Sequence, residues 1–368
     1  MLRIISAVLC VVLLCGCGLT SQENGDFMCG VWVTYSELET MANGDFVKNF
    51  ALFINNCKET GITDIFVHTV AFCDSIYNSQ YYEKRQWCQN ISFDVLKHII
   101  AVSHENGIKV HAWINPYRIS FKKDYTFGGK LSYLNEEVAH IEEGTYLNPG
   151  SLNARRLVKY GVLELVSNYE IDGVHFDDYF YPTTAPQFDS KFYNEYTAKT
   201  INPLSLEDYR RLQTALLISE VGKTVKLAKK DILFSVSPAA DIERNHNLLY
   251  ADISFWCKEK FIDAVIPQLY FGLDYPNENF GFLKLLEDWL NYIDGDIPVY
   301  IGLAPYKLNT ESEPDSKEWK NGTDIVSKQI EICKKSGRIK GVVLFSSSSL
   351  FNKQEIFKAQ KENIKNIL

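Results

Sequence analysis

No CxxC pair and no Cys/His cluster at metal-ligand spacing occurs in this chain, so the sequence requires no metal. No glycine-rich phosphate loop follows the first strand-like run, which argues against a dinucleotide site, and no other cofactor is called for. Lys and Arg never gather into a run long enough to track a phosphate backbone, and net charge is −8. Nucleic acid is therefore not an expected partner. No low-complexity segment or linker interrupts residues 29–368. The 368 residues would allow two or three domains, but barrels of this size form one unit. Nothing calls for a second copy, and a monomer is expected.

Aromatic residues, by contrast, are plentiful: 21 Tyr, 22 Phe and 6 Trp make 13% of the chain. Most of them suit a large core. Ring faces also stack on the apolar faces of pyranose sugars, so the excess suits sugar binding as well. The first residues, MLRIISAVLCVVLLCGCGLT, carry one Arg and then an apolar run too short to remain as a spanning helix. Leu14, Gly16 and Cys17 fit positions −3, −1 and +1 of a bacterial lipobox. We expect a signal peptide at 1–16, a lipid on Cys17, a tether over 17–28 and export to the cell envelope. Of the later cysteines, Cys73 and Cys88 bracket one loop and could pair in an oxidising compartment.

Short β-rich runs alternate with longer amphipathic ones. The strand-like runs are 30–35, 64–72, 109–117, 173–181, 232–240, 263–271, 298–306 and 341–350. Helical patterns fill 46–61, 93–107, 154–169 and 205–230, with later ones near 247–260, 279–292, 323–336 and 351–366. Gly61 and Gly107 suit helix ends. Ser151 or Asn153, and Ser205, suit helix starts. Eight of each predicts an α/β protein, a (β/α)8 TIM-type barrel, over 29–368. An open doubly wound sheet is the runner-up. Two connections, 118–153 and 182–204, leave from C-terminal strand ends and are rich in rings. They read as walls of a groove.

Strand alternation sorts side chains by face. Val110, Ala112 and Ile114 should face the helices, and His111, Trp113, Asn115 and Tyr117 the barrel interior. Likewise His175, Asp177 and Tyr179 point in, as do Ile266, Gln268 and Tyr270, His68, Ser235 and Ser237. Inward His68, His111 and His175 suit hydrogen-bonded core layers. Asp177, at a strand end, has reason to exist if something polar enters. Asp178 should face away by strict alternation, although strand ends twist.

The pieces GVWVT (30–34), HAWINPYR (111–118), YLNPG (146–150), YEIDGVHFDDYFYP (169–182), SVSP (235–238), DAVIPQLYF (263–271) and IGLAPYKL (301–308) resemble glycosyl-hydrolase-like family ten, a bacterial envelope group. The resemblance covers nearly all of 29–350. It implies a barrel glycosidase acting on peptidoglycan or a related glycan. It also implies an acidic centre at Asp177 and Asp178, with Asn115, Tyr117, Arg118, Tyr179, Tyr181, Gln268, Tyr270 and Lys307 lining the site. One departure stands out. Where the family pattern expects Trp-Arg-Arg-x-Asn at a helix start, this chain has Tyr209-Arg210-Arg211-Leu212-Gln213.

Glycoside cleavage usually uses two carboxyl groups, one as acid and one as nucleophile or base. Asp177 is the first candidate. Asp178, or Asp241 past the fifth strand, could be its partner, with Glu37 a weaker choice. The DGxDxDxE pattern of family-eighteen chitinases fits only partly, because Tyr179 stands where the acid Glu would be. A lipid-anchored protein that binds glycans without cutting them is the alternative.

Overall fold

Eight parallel strands close on themselves in the computed structural model, which describes residues 27–293, 296–310, 316–320 and 322–368. They are β1 (Met28–Val33), β2 (Asp64–Val70), β3 (Lys109–Ile114), β4 (Gly173–Phe176), β5 (Leu233–Val236), β6 (Ala264–Val265), β7 (Val299–Leu303) and β8 (Ile339–Leu344). Each pairs with the next. β8 then pairs with β1, from Met28 opposite Gly341 to Val31 opposite Leu344. Closure excludes the open sheet. Residues 1–26, which include Cys17 and the signal sequence, lie outside the described part. β1 begins at Met28, at the end of the expected tether.

A helix follows each strand: α1 (Phe46–Thr60), α2 (Val95–Glu105), α3 (Leu152–Asn168), α4 (Leu206–Ala228), α5 (Ile253–Lys258), α6 (Phe282–Tyr292), α7 (Ile325–Lys335) and α8 (Glu355–Ile367). Local chemistry sets their ends. The Asp45 carboxylate accepts from the Lys48 amide at 3.1 Å to start α1, and Gly61, at φ 85°, ends it. Ser151 starts α3 by accepting from the Ala154 amide at 3.0 Å. The helix expected near 247–260 is two short ones, Ile242–Asn247 and α5.

Alternation divides the strands as expected. Val31, Val67, Val110, Ala112, Val174 and Val236 join the apolar layer beneath the helices. Trp32, Phe66, Trp113, Ile266 and Val343 fill the barrel. His111 needs room there: a Cβ on Gly173 would lie 2.1 Å from its Nδ1. The described cysteines are all buried and unpaired, so Cys73 and Cys88 form no disulfide.

Both long connections are ordered rather than loose. Arg118–Ser120, Val138–Ile141 and Gly144–Leu147 form a small antiparallel sheet. After β4, a 3-10 turn at Pro186–Asp189 leads into a helix, Ser190–Lys199. Most of the rings expected to wall a groove anchor these segments instead. Phe127, Tyr146 and Phe188 are buried, and Tyr193 and Tyr196 pack on Tyr209.

Candidate active site

A cavity of about 250 Å³ opens at the C-terminal mouth of the barrel. Its wall is built from strand ends. β1 gives Trp32 and, just beyond, Thr34 and Tyr35. β2 gives His68, and β3 gives Trp113 with Arg118 shortly after. Ser237 follows β5, Gln268 and Tyr270 follow β6, and Phe345 follows β8. Asp177, Asp178 and Tyr179 follow β4. These are the positions where barrel enzymes carry their chemistry.

The aspartate pair owes its placement to the early end of β4. The strand stops at Phe176, and the chain bends so that the Tyr179 amide donates to Asp177 Oδ1 at 3.3 Å and the Phe180 amide to the Asp178 carbonyl at 3.0 Å. Alternation no longer applies past that bend, so both carboxyls face the cavity. Trp113 Nε1 donates to Asp177 Oδ2 at 3.1 Å. Burial pushes the Asp177 carboxyl up to about 7, and the neighbouring Asp178 adds to the rise. Arg118, Trp113 and the Tyr179 amide pull the other way. Burial also raises Asp178, opposed by hydrogen bonding, including from Gln268, and by Arg244 and Arg118. Near neutrality the pair therefore holds a proton that ordinary carboxyls would have lost.

Arg118 is held by packing. Its guanidinium lies 3.6 Å from the centre of the Tyr179 ring and 5.3 Å from that of Phe121. Asn115 is buried, and its Oδ1 accepts from the Arg118 amide at 3.1 Å. It shapes the turn that presents Arg118 and does not itself line the cavity. Gln268 donates from Nε2 to the Ser237 carbonyl at 2.9 Å, joining the ends of β5 and β6.

Besides Asn115, four expected site residues, Tyr117, Tyr181, Asp241 and Lys307, sit elsewhere. Tyr117 lies fully buried in the layer under the helices, because the chain has turned after Ile114 and its ring faces outward. Tyr181 is buried against Phe188 and Tyr250, beneath the loop that follows β4. Asp241 caps the helix Ile242–Asn247, its carboxylate accepting from the Arg244 amide at 3.1 Å. It opens with Lys307 into a neighbouring cavity of about 450 Å³ that shares Gln268 and Tyr270 with the first. Glu37 is also occupied. Its carboxylate accepts from the Thr34 amide at 2.7 Å and from Ser346 Oγ and the Ser348 amide, both at 2.5 Å.

Trp32 and Phe345 escaped notice as wall residues. The signal was present: alternation from outward Val31 and Leu344 turns both inward. Among the described residues no group of three His, Cys, Asp or Glu side chains could hold a metal ion.

A closed eight-stranded parallel barrel with a carboxyl pair at its C-terminal mouth defines a (β/α)8 protein with an active-site-like cavity. The chain belongs to the glycosyl hydrolase-like 10 family, whose model matches residues 27–321. It is 29% identical over 334 residues to glycosyl hydrolase YngK of Bacillus subtilis, covering 82% of this chain and 63% of that protein. It is 30% identical over 299 residues to glycosyl hydrolase DigH of Escherichia coli K12, covering 71% and 65%. The matches thus span less than two thirds of either relative's length. Among solved structures, the glycoside hydrolase domain of PgaB (BpsB) from Bordetella bronchiseptica superposes with a TM-score of 0.61 at 12% identity, covering 91% of this chain and 98% of that one. The catalytic domain of a beta-amylase from Paenibacillus polymyxa gives 0.55 at 11% identity, covering 93% and 98%. At such identities the likeness concerns the fold.

Proposed function

We propose that this chain is a glycoside hydrolase that cleaves O-glycosidic bonds of a peptidoglycan-like envelope glycan. The observation that carries the proposal is the carboxyl pair: two adjacent aspartates in a ring-lined cavity, one pushed up to about 7. Asp177 gives its proton to the glycosidic oxygen as the bond from the anomeric carbon breaks. Asp178, carrying the pair's remaining charge, faces the positive character that develops on the sugar; a water molecule then bonds to the anomeric carbon and returns a proton to Asp177. Trp113 fixes the acid's rotamer, and Trp32, Tyr270 and Tyr179 offer ring faces to the pyranose. Family membership and the two curated relatives, both named glycosyl hydrolases, support the reaction class. The lipobox-like start supports an envelope substrate and a lipid anchor at Cys17.

A second route is favoured by a specific observation. Glu37 and Asp241 are both tied down outside the cavity, so the pair supplies the only carboxyls among the described cavity residues. Attack by the substrate's own acetamido oxygen needs no further carboxylate.

Reducing-end release from peptide-free peptidoglycan strands tests the proposal. The parent should release ends, and Asp177→Asn and Asp178→Asn should each lose about 10²-fold or more. If the acetamido route operates, de-N-acetylated strands resist cleavage. A parent that binds the strands but releases nothing would overturn the hydrolase reading in favour of a glycan-binding protein.

A further inference from the structure

A second cavity, of about 450 Å³, opens beside the catalytic one, and the two share Gln268 and Tyr270 as a common wall. It lies over the ends of three strands. Ala239 and Ala240 follow β5, Phe271 follows β6, and Tyr306 and Lys307 follow β7. Sites for small ligands begin at roughly 300 Å³, so this space has room for one sugar unit next to the one being cut. Asp241 and Lys307, which the sequence points to and the catalytic cavity lacks, both line it.

Rings form much of its wall. Tyr306 stands edge-on to Tyr270, with centroids 6.0 Å apart and planes at 90°, and is 36% exposed. Phe271 meets Tyr275 at 5.0 Å and 83°, and Phe280 at 5.7 Å and 29°. Half-buried rings beside a shared wall offer a second pyranose the same kind of apolar face that the catalytic cavity offers the first.

Charge sets the two cavities apart. The catalytic one carries two adjacent carboxyls. The second holds Arg244 and Lys307 against the single carboxylate of Asp241, in a chain of net charge −8. That carboxylate accepts from the Arg244 amide at 3.1 Å as the cap of its helix. The Lys307 ammonium rests over the Phe271 ring at 5.5 Å, and the residue is nearly buried. Arg244, by contrast, is exposed and can be reached by a ligand. Its charge also acts on Asp178, opposing the rise of that carboxyl, so the guanidinium lies towards the catalytic side. A guanidinium presents a rigid fork of N–H donors that matches a carboxylate. A neutral sugar would leave the fork to water, whereas an acidic one uses it.

We propose that the second cavity is the subsite for the neighbouring unit of an acidic glycan, its pyranose against Tyr306 and Tyr275 and its carboxylate on Arg244. The proposal rests on the glycosidase reading and deepens it by naming the substrate as a glycan with carboxyl-bearing sugars. The shared wall of Gln268 and Tyr270 links the two sites. A carboxylate held at Arg244 therefore sets which bond of the strand lies at the aspartate pair.

Calorimetric titration of the full chain carrying Asp177→Asn, which leaves the strands uncut, tests this with two probes. One is peptide-free peptidoglycan strands. The other is the same strands with their carboxyls converted to neutral methylamides. The Asp177→Asn background should bind the acidic strands about 10-fold more tightly. Adding Arg244→Gln should remove that advantage, so that both forms bind at the level of the amidated strands. Adding Tyr306→Ala should weaken both forms and keep their ratio. Lys340, exposed at the N-terminal end of β8, controls for general attraction between a cation and a polyanion. Adding Lys340→Gln should leave both affinities unchanged. Equal binding of the two forms by the background would overturn the inference. So would an Arg244→Gln variant that keeps the preference, a Lys340→Gln variant that loses it equally, or a Tyr306→Ala variant that binds as the background does. Failure of the hydrolase reading shows separately, as a parent that binds with this preference yet releases no reducing ends.

Discussion

At the scale of single residues, the aspartate pair costs stability where the fold could have used an apolar side chain. A carboxyl whose folded titration is raised binds more protons in the native than in the unfolded chain, so stability falls as pH climbs from the unfolded value towards the folded one. For Asp177 the window runs from about 4 to about 7, and the cost above it is up to roughly 4 kcal/mol. Asp177→Asn should accordingly melt several degrees above the parent at pH 8, with the difference shrinking towards pH 4 to 5. Melting curves across that range check it, and a variant that melts lower at pH 8 would contradict it. The same group sets the pH profile. An acid must be protonated to act, so parent activity should fall as pH rises through about 7. Trp113→Phe removes a donor that favours the ionised carboxyl. Its alkaline limb should move up, by as much as about one pH unit for a bond of roughly 1.5 kcal/mol. An unmoved limb would mean that Trp113 does not touch the acid in solution.

At the scale of elements, the long connection after β4 is pinned by one buried ion pair. Arg210, on the first turns of α4, donates to Asp189 from Nε at 2.9 Å and from its terminal nitrogen at 2.6 Å. It also reaches the carbonyls of Thr184 and Ala185 and the Tyr250 hydroxyl. Both partners are almost wholly buried. Arg210→Met leaves Asp189 charged and unpaired, which should cost about 3–5 kcal/mol. Asp189→Leu combined with Arg210→Met should recover much of that. Denaturant titration of the three proteins measures it, and equal stability of parent and Arg210→Met would refute the anchor. Neither residue stood out in the sequence, because charged residues in a connection ordinarily face water. The helix start Tyr209-Arg210-Arg211 was visible only as a departure from the family pattern. What makes Arg210 matter is a partner 21 positions away in the chain.

At the scale of the molecule, the barrel was legible because alternating strands and amphipathic helices recur eight times, and helix ends at Gly61, Ser151 and Ser205 carry local chemistry. The site was legible in part. Alternation turned Trp113, inside β3, towards the cavity, and continued past the ends of β4 and β6 it matched Asp177, Gln268 and Tyr270 as well, but beyond a strand end nothing holds the chain to it. Asp178, Tyr117 and Tyr181 all lie past such ends, and turn geometry decided where each points. Closure is the property no single segment shows. The family match stops at residue 321, yet β8, at Ile339–Leu344, is the strand that joins β7 to β1. Phe345 then lines the cavity, and Ser346 and Ser348 hold Glu37. A chain ending at residue 321 would leave β1 and β7 with open edges and strip the apolar cover of Val342, Leu344, Ile330 and Ile364. Open, flat edges pair with other chains. The shortened chain should therefore associate, lose its cooperative melt and lose glycan binding, whereas the full chain stays intact. Size-exclusion chromatography with calorimetry decides the matter. A shortened chain that ran as a monomer and melted cooperatively would show that seven strands suffice, and that the closing strand serves only to place Phe345 and the serines at the mouth.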